Sequence, residues 1–240
     1  MTPARPKVLE RGVVAVGYLP LEEISPARAE EDLALLSLEE RARHARRRGP
    51  GRAEFRSARA LLRRMLSLYS DRDPRAWRFS LGAKGKPELA GAGQEHGLAF
   101  NVSHTRGLVA CALSRATPVG IDVEWSGRSR GYEALARRVL APAEREEVES
   151  LGASARTPRF LDYWTLKEAH WKAAGTGLRS SPGALEFRLL GERGARCLAD
   201  PEAEAAAWHY LRLRPTPSHH LAVAFAGRDE PCWEIISPCP

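Results

Sequence analysis

The sequence predicts an α+β chain made of two similar halves. Three observations point that way. Short apolar stretches with strand spacing recur on both sides of residue 117, and long stretches with helical spacing lie between them. A Ser-His step followed by small apolar residues occurs at Ser103-His104 and again at Ser218-His219. Duplication and convergent strand composition would each produce that repeat. Thr117-Pro118 is a natural boundary, giving an N-terminal half of residues 1–117 and a C-terminal half of residues 118–240.

In chain order, residues 12–18 read as a buried strand. Residues 26–48 carry a helical pattern, which Gly49-Pro50-Gly51 interrupts. Phe55, Ala58, Leu62, Met65, Leu66 and Tyr69 then mark one apolar helix face, and Arg52, Arg56, Arg59 and Arg63 form a second stripe. Residues 84–87 lie in a glycine-punctuated loop. Residues 98–102 and 108–113 read as a strand pair joined through Ser103-His104-Thr105-Arg106-Gly107. After a strand at 119–125, a helix is expected around 132–140 and another with Pro142 in its first turn. A longer helix over 159–174 is closed by Gly175 and Gly177. Strands at 184–190, 208–213 and 221–226 complete the reading.

Composition excludes several classes. A hydrophobic content of 43 % and a charged content of 28 % are those of an ordinary globular chain. No apolar run reaches the length of a membrane span, and the first residues lack the pattern of a secretory signal, so a cytoplasmic protein without membrane partners is expected. The four cysteines show no CxxC spacing and suggest neither a zinc site nor a disulfide framework. The formal charge is +7, and ten arginines stand between Arg41 and Arg64 against a single Glu54. Such a run suits a solvated helix face, a nucleic-acid patch, or a site for phosphates and an acidic partner. No zinc-finger, RNP-like or helix-turn-helix pattern accompanies it, and aromatics interleave poorly, so nucleic-acid binding is the alternative reading.

Two segments carry the chemistry. In Val119-Gly120-Ile121-Asp122-Val123-Glu124-Trp125, apolar residues alternate with the others, as in a half-buried strand, so Asp122 and Glu124 project from one face. Neighbouring carboxylates repel unless splayed in solvent or bound to a cation, and oxygen ligands suit Mg²⁺. A charged strand edge that discourages aggregation is the other reading. In Trp164-Thr165-Leu166-Lys167-Glu168-Ala169-His170-Trp171-Lys172, helical spacing places Trp164, Glu168 and Lys172 on one face. Glu168 and Lys172 are either a surface ion pair or a carboxylate and an ammonium poised to bind metal and handle a proton. Lys167 points about 100° away, which suits a structural or surface role.

Taken together, Gly120-Ile121-Asp122-Val123-Glu124 and the segment 164–172 resemble the 4′-phosphopantetheinyl transferases of the larger, single-chain, surfactin-synthetase-activating type. Lys84-Gly85-Lys86-Pro87 and Phe100-Asn101-Val102-Ser103-His104 match two further elements of that family, in the family's order. The resemblance implies two similar α+β halves, each a small, mainly antiparallel sheet with a packed long helix, related by a pseudo-twofold axis. It implies a monomer, coenzyme A as co-substrate between the halves, Mg²⁺ as cofactor, and apo acyl- or peptidyl-carrier proteins as partners. By the same resemblance Asp122, Glu124 and Glu168 hold Mg²⁺, and Glu168 and Lys172 are catalytic, with Glu168 near the serine proton and Lys172 on the pyrophosphate. Lys84, Lys86, Pro87, Ser103 and His104 hold the nucleotide, and Arg48, Arg52 and Arg59 are candidates for its 3′-phosphate. His219 and His220 are left structural.

Overall fold

The computed structural model describes residues 7–82, 87–91, 97–127, 132–177, 182–200 and 207–236. The chain is α+β and divides into two compact units. One runs to Thr117 and takes back the C-terminal strand, and the other runs from Pro118 to Pro231.

The first unit contains β1 (Val13–Pro20), α1 (Pro26–Leu35), α2 (Leu38–Arg46), α3 (Pro50–Leu68), β2 (Phe79–Leu81), β3 (Pro87–Leu89), β4 (Leu98–Thr105) and β5 (Leu108–Arg115). Its main sheet has the order β11-β1-β5-β4, where β11 is Cys232–Ile236; β2 and β3 form a separate ribbon. Residues 232–236, which the boundary near Thr117-Pro118 assigned to the second half, thus belong to the first unit. β11 pairs in parallel with β1, and Glu234 is held by the Lys7 ammonium at 2.8 Å and the Tyr69 hydroxyl at 2.7 Å. α3 lays Ala58, Leu61, Leu62, Met65 and Leu66 onto the sheet, where Ala15, Phe100, Val109, Cys111 and Leu113 complete the core. Each fully buried Leu, Val, Met or Phe among these contributes about 1.5–3 kcal/mol.

The helical pattern over 26–48 is two helices. Ser37 ends the first and caps the second: its hydroxyl accepts from the Glu40 N–H while Glu40 accepts from the Ser37 N–H. Arg41 then reaches back to the carbonyls of Ala34 and Leu36, which α1 leaves open at its end. α2 also buries His44, whose imidazole is pushed below its ordinary range by burial and by Arg52 and Arg56. With the folded pKa lowered, the unfolded chain binds more protons below 6.5, so stability falls as pH drops through that value. The melting temperature is expected to fall between pH 7 and pH 6, and to fall less in His44→Gln.

The second unit contains β6 (Val119–Trp125), α4 (Tyr132–Val139), α5 (Pro142–Ser150), α6 (Ala153–Ala174), β7 (Glu186–Leu190), β8 (Gly194–Ala199), β9 (Trp208–Leu213) and β10 (His219–Ala226). The sheet order is β6-β10-β9-β8-β7, antiparallel throughout. α6 packs on β6 and β10 and starts six residues before the expected 159. Pro158 lies inside it, close enough to the start that its missing N–H removes one bond without ending the helix. Arg156 bonds the carbonyls of Glu149 and Leu151 at the α5 end, as Arg41 does for α1. Gly175, at φ 68°, closes α6 in the left-handed conformation.

The Ser-His repeat is not equivalent in the two units. Ser103 and His104 close β4, and the apolar run that follows is β5, across a turn at Arg106-Gly107. His219 instead opens β10 itself. Cys111, Cys197 and Cys232 are free thiols. Among the described residues, no helix is long and apolar enough to cross a membrane.

Candidate active site

In the second unit, the closeness of α6 to β6 depends on Gly120. A Cβ there would stand 2.0 Å from the Ala169 carbonyl oxygen and 2.6 Å from the Ala173 nitrogen. Strand alternation puts Asp122 and Glu124 on the same side as Gly120, which is the side α6 covers. β6 is therefore buried on both faces through Val123, and Asp122 is 5 % exposed. The expected half-buried strand is thus covered on its second face by this helix, and the alternative of a solvent-facing charged edge does not fit Asp122.

The α6 face carrying Trp164, Glu168 and Lys172 meets those carboxylates. Lys172 Nζ lies 2.6 Å from Asp122 Oδ1 and 3.2 Å from the Ile121 carbonyl. Trp164 Nε1 donates to Glu124 Oε1 at 3.2 Å. Burial first, then Asp122 and Glu124, raise the Glu168 carboxyl while Lys172 lowers it, with the net result at about 7. The lysine thus has a strand partner rather than acting as a bland i,i+4 surface pair. Among the described residues no three His, Cys, Asp or Glu side chains already stand as a metal-binding group. The donor chemistry nevertheless fits a hard divalent cation: the Glu168 carboxyl is held at about 7 first by burial and then by the nearby Asp122 and Glu124 carboxylates, oxygen donors of the kind such an ion prefers.

Lys167 is buried rather than at the surface. Its ammonium lies 2.9 Å from Glu144 Oε2, with both side chains 0 % exposed, and donates to the Leu185 carbonyl. His220 is held by Asp162 at 3.1 Å and His219 by Thr216 at 2.7 Å, a structural role for each.

In the first unit, a pocket of about 180 Å³ is lined by Arg43, Arg47, Phe55, Ala58, Arg59, Pro87, Phe100, Asn101, Val102 and His104. The guanidinium carbons of Arg47, Arg59 and Arg43 lie 4.6, 5.6 and 5.7 Å from the centre of the Phe55 ring. His104 Nδ1 stands 3.4 Å from Glu54 Oε2. Burial lowers the Arg59 pKa, Glu40 opposes that, and Arg43, Arg63 and Arg47 add to it. Three positive groups around an open concavity suit phosphate.

A superfamily model described as "4'-phosphopantetheinyl transferase superfamily" matches residues 118–226, which include Asp122, Glu124, Glu168 and Lys172. The 4′-phosphopantetheinyl transferase HetI of Nostoc sp. is 35 % identical over 211 residues, covering 87 % of this chain and 86 % of that protein. The chain belongs to the 4′-phosphopantetheinyl transferase superfamily. A putative 4′-phosphopantetheinyl transferase of Synechocystis sp., slr0495, is 37 % identical over 207 residues, covering 86 % of this chain and 80 % of the relative. Among solved structures, a holo-(acyl-carrier-protein) synthase from Bacillus anthracis in complex with CoA (3′,5′-ADP) covers 45 % of this chain and 94 % of its own, with 21 % identity and a TM-score of 0.40.

For this 4′-phosphopantetheinyl transferase superfamily member, the structure gathers Asp122, Glu124, Glu168 and Lys172 on facing elements, and Arg59, Pro87 and His104 at one pocket. Lys84 and Lys86 lie outside the described residues. Ser103 does not line the pocket. It is in β4 rather than in a turn, so alternation turns it to the face opposite His104, where it is 7 % exposed. Arg48 and Arg52 are exposed and line no part of the pocket; Arg43 and Arg47, at the end of α2, take that place. Stripe spacing on α3 gave no hint of them, because α2 approaches from elsewhere in the fold. Nor is the arginine run a continuous cationic surface. Arg63 is 1 % exposed and bonded to Glu40 and the Trp77 carbonyl, Arg64 pairs with Asp32, and Arg41 caps α1.

Proposed function

We propose that this chain transfers the 4′-phosphopantetheine group of coenzyme A to a serine hydroxyl of an apo acyl- or peptidyl-carrier protein, with Mg²⁺, releasing adenosine 3′,5′-bisphosphate. The observation that carries it is the meeting of Asp122, Glu124, Glu168 and Lys172 in a chain of this superfamily. The serine oxygen bonds to the phosphorus that bears the pantetheine arm, and the bond from that phosphorus to the bisphosphate oxygen breaks. Catalysis of this kind depends on positioning and on neutralising charge at the phosphate oxygens.

Asp122, Glu124 and Glu168 would hold Mg²⁺, which when bound supplies positive charge to the pyrophosphate. Glu168, beside those carboxylates and held ionised when the cation is bound, would accept the serine proton directly or through a water. Lys172 brings an ammonium beside the same carboxylates and stabilises the departing phosphate oxygen. Trp164 fixes Glu124 and walls this side of the site, its ring stacked 6.4 Å from Phe160. In the first unit, Arg43, Arg47, Arg59 and His104 serve the phosphates of the nucleotide, with Glu54 orienting His104.

The test is a mass measurement on apo acyl- and peptidyl-carrier proteins incubated with the protein, coenzyme A and Mg²⁺. Each modified carrier should gain one phosphopantetheine arm, and a chelator should stop the gain. Absence of modification across the panel would refute the reading. Arg47→Ala and His104→Ala are expected to raise KM for coenzyme A about tenfold or more while kcat changes less, since both remove binding made before the reaction.

A further inference from the structure

We propose that the buried Glu144–Lys167 pair positions the reaction by fixing the rotation of α6 over β6, so that Trp164, Glu168 and Lys172 meet Asp122 and Glu124. This rests on the transfer reaction proposed above and adds two positioning residues, one of them on a different helix. Lys167 immediately precedes Glu168 but projects about 100° around the helix from it. Its ammonium is gripped by Glu144 at 2.9 Å and by the carbonyls of Leu185 and Pro182, the latter at 3.5 Å.

Glu144 is itself immobilised by the backbone. Its Oε2 accepts from the Ala141 N–H at 2.8 Å, at the start of α5, and its Oε1 accepts from the Phe187 N–H at 2.8 Å, in β7. The lysine is therefore tied to a point defined by α5, β7 and the segment before β7. On the neighbouring face, Lys172 and Trp164 make the contacts to β6. With side-chain tips about 5–6 Å from a helix axis, a rotation of about 10° moves them by about 1 Å. A displacement of that size costs on the order of a hundredfold in a reaction that depends on positioning.

Stability gives no reason for such a pair. Replacing a buried ion pair by apolar groups is often neutral or stabilising, whereas removing one partner is costly. A pair that only held the fold together would be dispensable to turnover wherever the variant still folds.

The experiment compares Lys167→Met, Lys167→Arg and the double variant Glu144→Gln/Lys167→Met, each checked for folding by near-ultraviolet circular dichroism. Two readouts are taken: kcat and KM for carrier modification, and the indole N–H resonance of Trp164, assigned with Trp164→Phe. In folded uncharged variants kcat is expected to fall about 10–100-fold, with KM for coenzyme A within about threefold of the starting protein. The Trp164 resonance should shift as its bond to Glu124 is lost, and Lys167→Arg should recover part of both signals. A folded uncharged variant with kcat within twofold and an unmoved Trp164 resonance would overturn the proposal. So would unfolding of both uncharged variants beside full activity in Lys167→Arg, which makes the pair structural only. Should the unaltered protein modify no carrier, the transfer reading fails while the Trp164 resonance still decides the positioning.

Discussion

Glu168→Gln and Asp122→Asn are each expected to lower carrier modification by about 10²–10³-fold, the scale seen when a preorganised electrostatic group is removed from a reacting centre. Both substitutions keep shape and remove charge. Asp122→Asn also removes the negative charge that faces the Lys172 ammonium at 2.6 Å, leaving only a neutral acceptor for it. The stability readout separates function from folding. Glu168 has a folded pKa of about 7, above its unfolded 4.5, so its ionisation opposes folding as pH rises through that window. At pH 8 without divalent ions, Glu168→Gln should melt no lower than the starting protein. Loss of activity without loss of stability is the pattern of a residue kept for its chemistry. Near-normal rates in both variants would remove the roles assigned to these carboxylates.

Gly120→Ala is expected to destabilise the second unit by about 3 kcal/mol or more, at the upper end for overpacking. Both atoms facing the added methyl, the Ala169 carbonyl and the Ala173 nitrogen, are backbone, at 2.0 and 2.6 Å, and neither has a rotamer to move. Relief requires α6 to retreat from β6, which separates Lys172 from Asp122 and Trp164 from Glu124. Chemical denaturation should show the loss of stability, and the remaining folded protein should transfer poorly. A change below about 0.5 kcal/mol, typical of a surface substitution, would show that the close approach is not needed.

Local signals predicted what local physics decides. The alternation around Asp122, the α3 apolar face and the glycine end of α6 are patterns within one element, and the structure places elements there. The four-residue steps from Trp164 to Glu168 to Lys172 gave one face of α6, and that face does meet β6. What the sequence hid depends on contacts between distant segments. The coverage of β6 by α6, which buries Asp122, is invisible in an alternating string. Arg43 and Arg47 reach the pocket only because α2 ends beside Phe55. Arg63 looks like part of a solvated stripe until Glu40, 23 residues earlier, is folded onto it. β8 and β11 do not stand out by composition: Gly194–Ala199 opens on a glycine and is interrupted by Arg196, and Cys232–Ile236 gains its place through β1.

The proposed transfer requires one divalent ion shared by carboxylates from β6 and α6. Crystals grown with Mn²⁺ in place of Mg²⁺ test this directly, because anomalous scattering locates the ion without reference to the protein. One peak is expected, bonded to oxygens of Asp122, Glu124 and Glu168 at about 2.0–2.2 Å, in keeping with a small octahedral cation. No peak at these carboxylates in crystals of protein active with Mn²⁺, or a peak bound elsewhere, would contradict it.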